Sequence, residues 1–325
     1  MTDAAASTAA AIIAAREEDK VLPGKEGWLF LAKDTNHVID QHTGRLRFTE
    51  KQLNDWRRIL ETRTAWLEQR GTRHLFLVPP NPHAVYEELL PDSVVVVAER
   101  PILQLRKHLL ETGSFASFIY PIGALRAAKR NGPVYSQTDT HWNEMGAFVA
   151  YKQLIEAVRG LGLRARSLAR GRLVVTAAAF SGDLGTKMRP QQESMEIYAR
   201  VTKPEAEYAY DNRVRFTGRR VDYICKTAPP TTCLIYGDSF AGHLLPFVAE
   251  SFGRTIFCQV PNLDFEVLEK ERPDVAVGVL NERFMMKLPY DTTYPTLADL
   301  EATKMALGKV YAPRPEGLGN RMDTY

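Results

Sequence analysis

The chain has 325 residues, with 42 lysines and arginines against 39 aspartates and glutamates and a formal charge of +3. That length supports one large domain or two modest ones with a sizeable core, and the ordinary composition excludes a disordered, collagen-like or coiled-coil chain. Three cysteines are too few for a disulfide-stapled scaffold, and the near-balanced charge is no nucleic-acid footprint, so short basic clusters such as Arg213, Arg215, Arg219 and Arg220 read as solvated faces. The first twenty residues are Ala-rich, lack a basic leading segment and end in acidic side chains, which predicts a frayed arm or short amphipathic helix over residues 1–20. The chain as given therefore reads as cytoplasmic, and as periplasmic if an export leader has been removed. No run of 18 apolar residues occurs, so no membrane span is expected.

In chain order, Gly24 and Gly27 mark a turn before a short strand, Trp28 to Leu31. Phe48 to Gly71 reads as one helix: Thr49 and Gln52 fit a capping box, while Leu53, Trp56, Ile59, Leu60 and Leu67 supply an apolar stripe. His74 to Val78 is a compact apolar run of the kind found in buried strands, broken by Pro79, Pro80, Asn81 and Pro82. Helix is expected at Ile102 to Leu110 and Ala124 to Asn131, and a short strand at Phe118 to Tyr120. A loop from Ser136 leads into an amphipathic helix over Glu144 to Val158, followed by a strand at Arg172 to Phe180 and a turn at Gly182 to Gly185. The stretch from Met195 to Phe216 holds sheet excursions without a firm register.

Further strands are expected at Cys233 to Tyr236, Arg254 to Val260 and Val275 to Leu280, with a helix from the GDSF segment through Phe252. A last helix is expected at Thr296 to Leu307. Buried strands alternating with helices predict an α/β sandwich with a mostly parallel sheet. No linker or repeat divides the chain, so it is partitioned as an arm (1–20), one catalytic domain (21–290) and a C-terminal extension (291–325). Cys225, Cys233 and Cys258 read as free thiols, with a Cys225–Cys233 bridge the alternative.

Ser239 follows an apolar strand and begins a helix, where strand ends form the usual site of an α/β sheet. Free backbone N–H groups and the helix dipole there favour developing negative charge. The structural alternative is that Asp238 and Ser239 simply cap the helix. Asp139 and His141, two residues apart in QTDTHWN, can share one side of an extended segment. An aspartate that orients an imidazole is half of what a serine hydroxyl needs to become a nucleophile. The alternative there is an Asp139 cap with His141 inside the first turn.

DTHWNEMGA and YGDSF together resemble the SGNH hydrolase-like family of alginate O-acetylation proteins, of AlgX and AlgJ type. PGKEGWLFL, VPPNPHAVYEELLPD, SGDLGTK and VLNERF extend the resemblance from about Gly24 to Phe284. It implies a flavodoxin-like, three-layer α/β sandwich and a Ser239–His141–Asp139 triad acting on sugar O-acetyl esters through an acyl-serine intermediate. The implied partners are an acetylated carbohydrate or polysaccharide and other proteins of a polysaccharide pathway. A polysaccharide-binding scaffold that keeps the fold without turnover is the competing reading.

Around this triad, the Ser239 N–H and the Asn81 side chain are the oxyanion-donor candidates, with Asn143 behind them. Arg283 is a candidate for holding substrate or the active-site loop. Tyr86 and Trp142 are candidate sugar-stacking surfaces, with wall packing the alternative for Trp142. His243, one turn beyond Ser239, is a reserve base expected along the cleft rim. Asp139, His141 and Asp238 are a conceivable ligand set, but no metal is invoked. GDSFAG is not a phosphate loop, so no cofactor is expected.

Overall fold

A computed structural model describes residues 17–312. The arm expected over residues 1–20 therefore lies, through residue 16, outside the described residues, as does the chain beyond residue 312. Strands are numbered β1 Val21–Pro23, β2 Leu29–Leu31, β3 Arg73–Leu77, β4 Phe118–Ile119, β5 Leu173–Phe180, β6 Ser194–Val201, β7 Glu207–Asp211, β8 Arg220–Ile224, β9 Thr232–Gly237, β10 Arg254–Cys258 and β11 Val275–Val279. Helices are α1 Val38–His42, α2 Glu50–Glu68, α3 Pro82–Val85, α4 Pro101–Glu111, α5 Ile122–Ala128, α6 Glu144–Gly160, α7 Ser239–Val248, α8 Phe265–Glu271 and α9 Leu297–Ala306.

Among the described residues the central sheet has seven strands in the order β4-β3-β11-β9-β10-β8-β7. From β4 to β10 every pairing is parallel, and β8 and β7 add antiparallel strands at one edge. The strands are apolar on both faces because both are covered. Leu75, Leu77, Ile235, Val277 and Val279 face α6 and α7 with Phe148, Tyr151, Leu244 and Phe247. Their alternates Phe76 and Val78 meet Trp56 and Leu60 of α2 and Ile102 and Leu105 of α4, while Leu234, Ile256 and Ala276 meet Leu67 and Leu268. Two residues per repeat thus sort side chains to opposite faces and produce the helix–sheet–helix layers.

Several expected elements form with small changes of boundary. The α2 capping box is present: Gln52 N–H donates to Thr49 Oγ1 (3.3 Å) and Thr49 N–H to Gln52 Oε1 (2.9 Å). The helix after Ser239 stops at Val248 rather than Phe252, because Ser251 N–H turns back to Val248 O (2.9 Å) and closes the end with a tighter turn. Leu173–Phe180 is a strand, but it pairs with Ser194–Val201 in a separate hairpin instead of joining the central sheet. The unassigned stretch resolves into β6 and β7. The expected alternative of a Cys225–Cys233 bridge is not formed: all three cysteines are free and buried. Strand β10 runs between β8, which leads into Cys225, and β9, which carries Cys233. Two strand spacings are about 9–10 Å, beyond a disulfide's reach.

Asp238 and Ser239 sit where β9 gives way to α7, at the carboxyl end of the parallel strands. The turn leaves no room for a side chain at Gly237: a Cβ there would lie 1.9 Å from the Val279 carbonyl oxygen of β11. Asp238 stitches this corner. Its N–H donates to Val279 O (3.1 Å), Oδ1 accepts from Phe240 N–H (2.9 Å) and Oδ2 from Asn281 N–H (2.6 Å). Among the described residues no helix is long and apolar enough to cross a membrane.

Candidate active site

Two short segments, distant in sequence, meet at the end of the sheet. Asp139 closes a local turn in which Oδ1 accepts both the His141 backbone N–H (2.9 Å) and the His141 Nδ1–H (2.7 Å). That spacing of two fixes the ring orientation and leaves Nε2 as an acceptor. The Ser239 hydroxyl, at the first position of α7, lies 2.6 Å from it. The loop 181–187 anchors Asp139 from the far side, where Oδ2 accepts Asp183 N–H (2.8 Å). Gly182 permits this contact, since a Cβ there would come within 2.4 Å of Asp139 Cβ. Asp183 in turn accepts from Thr140 through N–H (2.8 Å) and Oγ1 (2.6 Å).

The electrostatics favour a charge pair on one side and a neutral ring beside it. Burial works to raise the Asp139 pKa, but the hydrogen bond and charge of His141, with the Asp183 and His141 N–H groups, outweigh it and hold the carboxyl well below the carboxylate range. Burial likewise works to lower the His141 pKa, and Asp139 more than reverses it, so the imidazole titrates above 6.5. His243, stacked on His141 at a ring separation of 5.3 Å, is pushed down to about 3 by burial and by the His141 charge. It therefore stays neutral and lines the cleft.

The remaining candidates separate clearly by position. The Ser239 N–H begins a helix, where no preceding turn supplies an acceptor. Asn81 is 1% exposed and does not line the cleft: its N–H donates to Glu282 Oε1 (2.6 Å) and its Nδ2 lies 3.2 Å from His42 Nε2. Asn143 is engaged in capping α6, accepting Gly146 N–H (3.0 Å), and donates to Pro133 O (3.0 Å). Tyr86 is buried under Trp28 (ring centroids 4.1 Å) and its hydroxyl accepts Val134 N–H (2.9 Å), so it packs the core, not a sugar. Trp142 touches the cleft, but its ring is 1% exposed and Nε1 donates to Phe240 O (3.2 Å), which makes it a wall. Arg283 is buried over Phe240 (5.5 Å) and Phe284 (4.7 Å) with Nη1 donating to Asn81 Oδ1 (3.4 Å), a brace behind α7 outside the cleft lining.

Asp238 does not join Asp139 and His141 as a ligand set. Asp183 does, with ligand atoms within 4.8 Å of one another. The oxygens of Asp139 and Asp183 already accept the hydrogen bonds described above, and a cation would have to displace them. The cleft has a volume of about 470 Å³ and is walled by both segments, the β5–β6 hairpin and Phe216. Reasoning from the sequence missed Asp183, Glu144, Glu196 and Phe216. SGDLG was the available signal for Asp183, since a glycine before an aspartate in a turn beside the site permits close backbone approach. The other three had none.

The profile of the SGNH hydrolase-like domain of the acetyltransferase AlgX matches residues 21–258. A probable alginate O-acetylase AlgJ from Pseudomonas syringae pv. tomato is 28% identical over 139 residues, covering 42% of this chain and 33% of the relative. One from Pseudomonas aeruginosa is 25% identical over 146 residues, covering 43% and 33%. The chain thus spans about a third of the length of the curated relatives it matches. Among solved structures, the O-acetyltransferase domain of Pseudomonas putida AlgJ is similar with a TM-score of 0.56 at 19% identity, covering 87% of this chain and 99% of that one. Bacillus cereus PatB1 is similar with a TM-score of 0.58 at 15% identity, covering 82% and 96%. At these identities the structural likeness speaks to the fold.

Proposed function

This chain belongs to the SGNH hydrolase-like family of AlgJ- and AlgX-type O-acetylation proteins, and we propose that it is a serine-dependent carbohydrate O-acetyltransferase or acetylesterase. The observation that carries this reading is the unbroken relay from Asp139 Oδ1 through His141 to Ser239 Oγ, with both links at 2.6–2.7 Å. His141 Nε2 takes the hydroxyl proton as Ser239 Oγ attacks an acetyl carbonyl. The Ser239 N–H, at the positive end of α7, faces the developing oxyanion. Collapse of the tetrahedral intermediate breaks the bond to the sugar oxygen, which leaves with the proton from His141. Acetyl-Ser239 remains. A second hydroxyl, from water or from another sugar, then gives its proton to His141, attacks the acetyl group and releases Ser239.

Asp139 stabilises the imidazolium formed in both halves and holds the ring in the tautomer that leaves Nε2 free. The same reading places the protein in the periplasm beside proteins of polysaccharide assembly, which cell fractionation tests.

A chromogenic acetate ester tests the reaction, and its pH dependence tests the roles. Only neutral His141 can accept the proton, so kcat/KM rises with pH as the imidazolium deprotonates. Because Asp139 raises that pKa, the midpoint is expected above 6.5. In Asp139→Asn the raising charge is gone while the burial that lowers the pKa stays, so the midpoint falls, by roughly one pH unit or more. A profile whose midpoint is the same in both proteins would remove His141 and Asp139 from these roles.

A further inference from the structure

Four carboxyl side chains, Asp139, Glu144, Asp183 and Glu196, line the cleft at Ser239, and among the described residues lining it there is no lysine or arginine. Asp139 and Asp183 are committed to the hydrogen bonds that hold His141. Glu144, at the start of α6, and Glu196, 5% exposed on β6, take no part in the relay. Burial raises the pKa of each; the Glu196 charge helps bring Glu144 up to about 7, and the Asp139 charge adds to the rise at Glu196. Cationic side chains stand outside the lining: Lys187 Nζ donates to the Asp183 carbonyl, exposed Arg200 lies 5.8 Å from the Tyr198 ring centre, and Arg283 lies behind Phe240.

The remainder of the wall is largely aromatic, with Phe180, Tyr198 and Phe216. Phe216 is 55% exposed and its backbone has a φ of +58°, a region that bulky residues rarely adopt. A backbone outlier that presents a large ring at a cleft is a feature of ligand-contact positions. Carboxyl groups accept hydrogen bonds from sugar hydroxyls, and flat rings pack against the apolar face of a pyranose.

These walls oppose a sugar that carries its own carboxylate. Each uronate would bring a further carboxylate to a lining that already holds four carboxyl groups and, among the described residues, supplies no ammonium or guanidinium to pair with it. Resting on the reading of Ser239 as the acyl carrier, we infer that the cleft takes an uncharged glycan and rejects polyuronates, although the curated relatives carry alginate in their names.

Binding measured on the full chain carrying Ser239→Ala separates this inference from turnover. Calorimetric titrations at low salt would compare uncharged β-1,4-linked hexasaccharides of mannose, glucose and xylose with a mannuronate hexamer. At least one uncharged hexamer is expected to bind about tenfold tighter than the mannuronate hexamer. In the Glu144→Gln/Glu196→Gln background that preference should narrow to about threefold or less. Mannuronate binding as tight as every uncharged hexamer, or binding of none of the four, overturns the inference. Hydrolysis of a small uncharged acetate ester by the wild-type chain reports on the acyl-serine reading alone, since that ester lacks the sugar carboxylate.

Discussion

Ser239→Ala is expected to lower kcat/KM for a chromogenic acetate ester by roughly 10⁵-fold, because the groups of a catalytic relay act as a unit and its loss leaves only oxyanion stabilisation and binding. The fold should be unaffected. Ser239 contributes a half-buried hydroxyl at the first position of α7, while the cap itself comes from Asp238, whose Oδ1 accepts Phe240 N–H at 2.9 Å. The melting temperature should therefore stay within about 2 °C of wild type, the range of a surface-like substitution. Steady-state rates and a thermal melt on the same preparation check both halves. A variant that keeps a tenth or more of the activity would show that the ester is cleaved elsewhere.

Glu282→Ala should give the largest loss of stability. Glu282 is 3% exposed. Its Oε1 accepts Asn81 N–H (2.6 Å) and its Oε2 accepts the Tyr120 hydroxyl (2.7 Å), with Arg100 Nε 3.7 Å away. Arg100, 4% exposed, also donates to the Tyr120 hydroxyl (2.8 Å). Removing the carboxylate strands a buried guanidinium and a buried N–H at once, at a cost of about 3–5 kcal/mol. Glu282→Gln keeps an acceptor for Asn81 and should cost less. Urea unfolding of the three proteins measures the order wild type, Gln, Ala. Equal midpoints for Ala and wild type would mean that this cluster does not hold the loops at Asn81 and Asn281 together. Activity should follow stability here, since Glu282 lies outside the cleft lining.

The residues of the relay were legible because their signals are local. Asp139 and His141 stand two apart, the spacing at which an aspartate can bond both the backbone and the ring of the same histidine. Ser239 stands at an apolar strand that breaks into a helix. The alternating apolar runs at His74, Cys233, Arg254 and Val275 likewise disclosed the parallel strands. What failed is non-local. β8 reads as a polar stretch because of Arg219, Arg220 and Asp222, yet Arg220 and Arg254 bond Asp222 and Glu271 at 2.6–2.8 Å, so its charges are buried in pairs.

Tyr86 follows a proline-rich loop, and only the tertiary contact with Trp28 decides that its ring faces inward. Asn81 looks available at a strand end, but Glu282, 201 residues away, claims its backbone and the surrounding space. The carboxyls of Glu144 and Glu196 reach one cleft only because the β5–β6 hairpin packs beside α6, a contact no spacing in the sequence announces.

The acyl-serine intermediate is the central claim, and acid-quenched peptide mass mapping after mixing with an excess of an acetate ester tests it most directly. The account predicts a peptide heavier by one acetyl group, with the group on Ser239, accumulating within the first turnover and lost on dilution into water or acceptor sugar. Turnover with Ser239 unmodified, or with the acetyl group on another side chain, would contradict it.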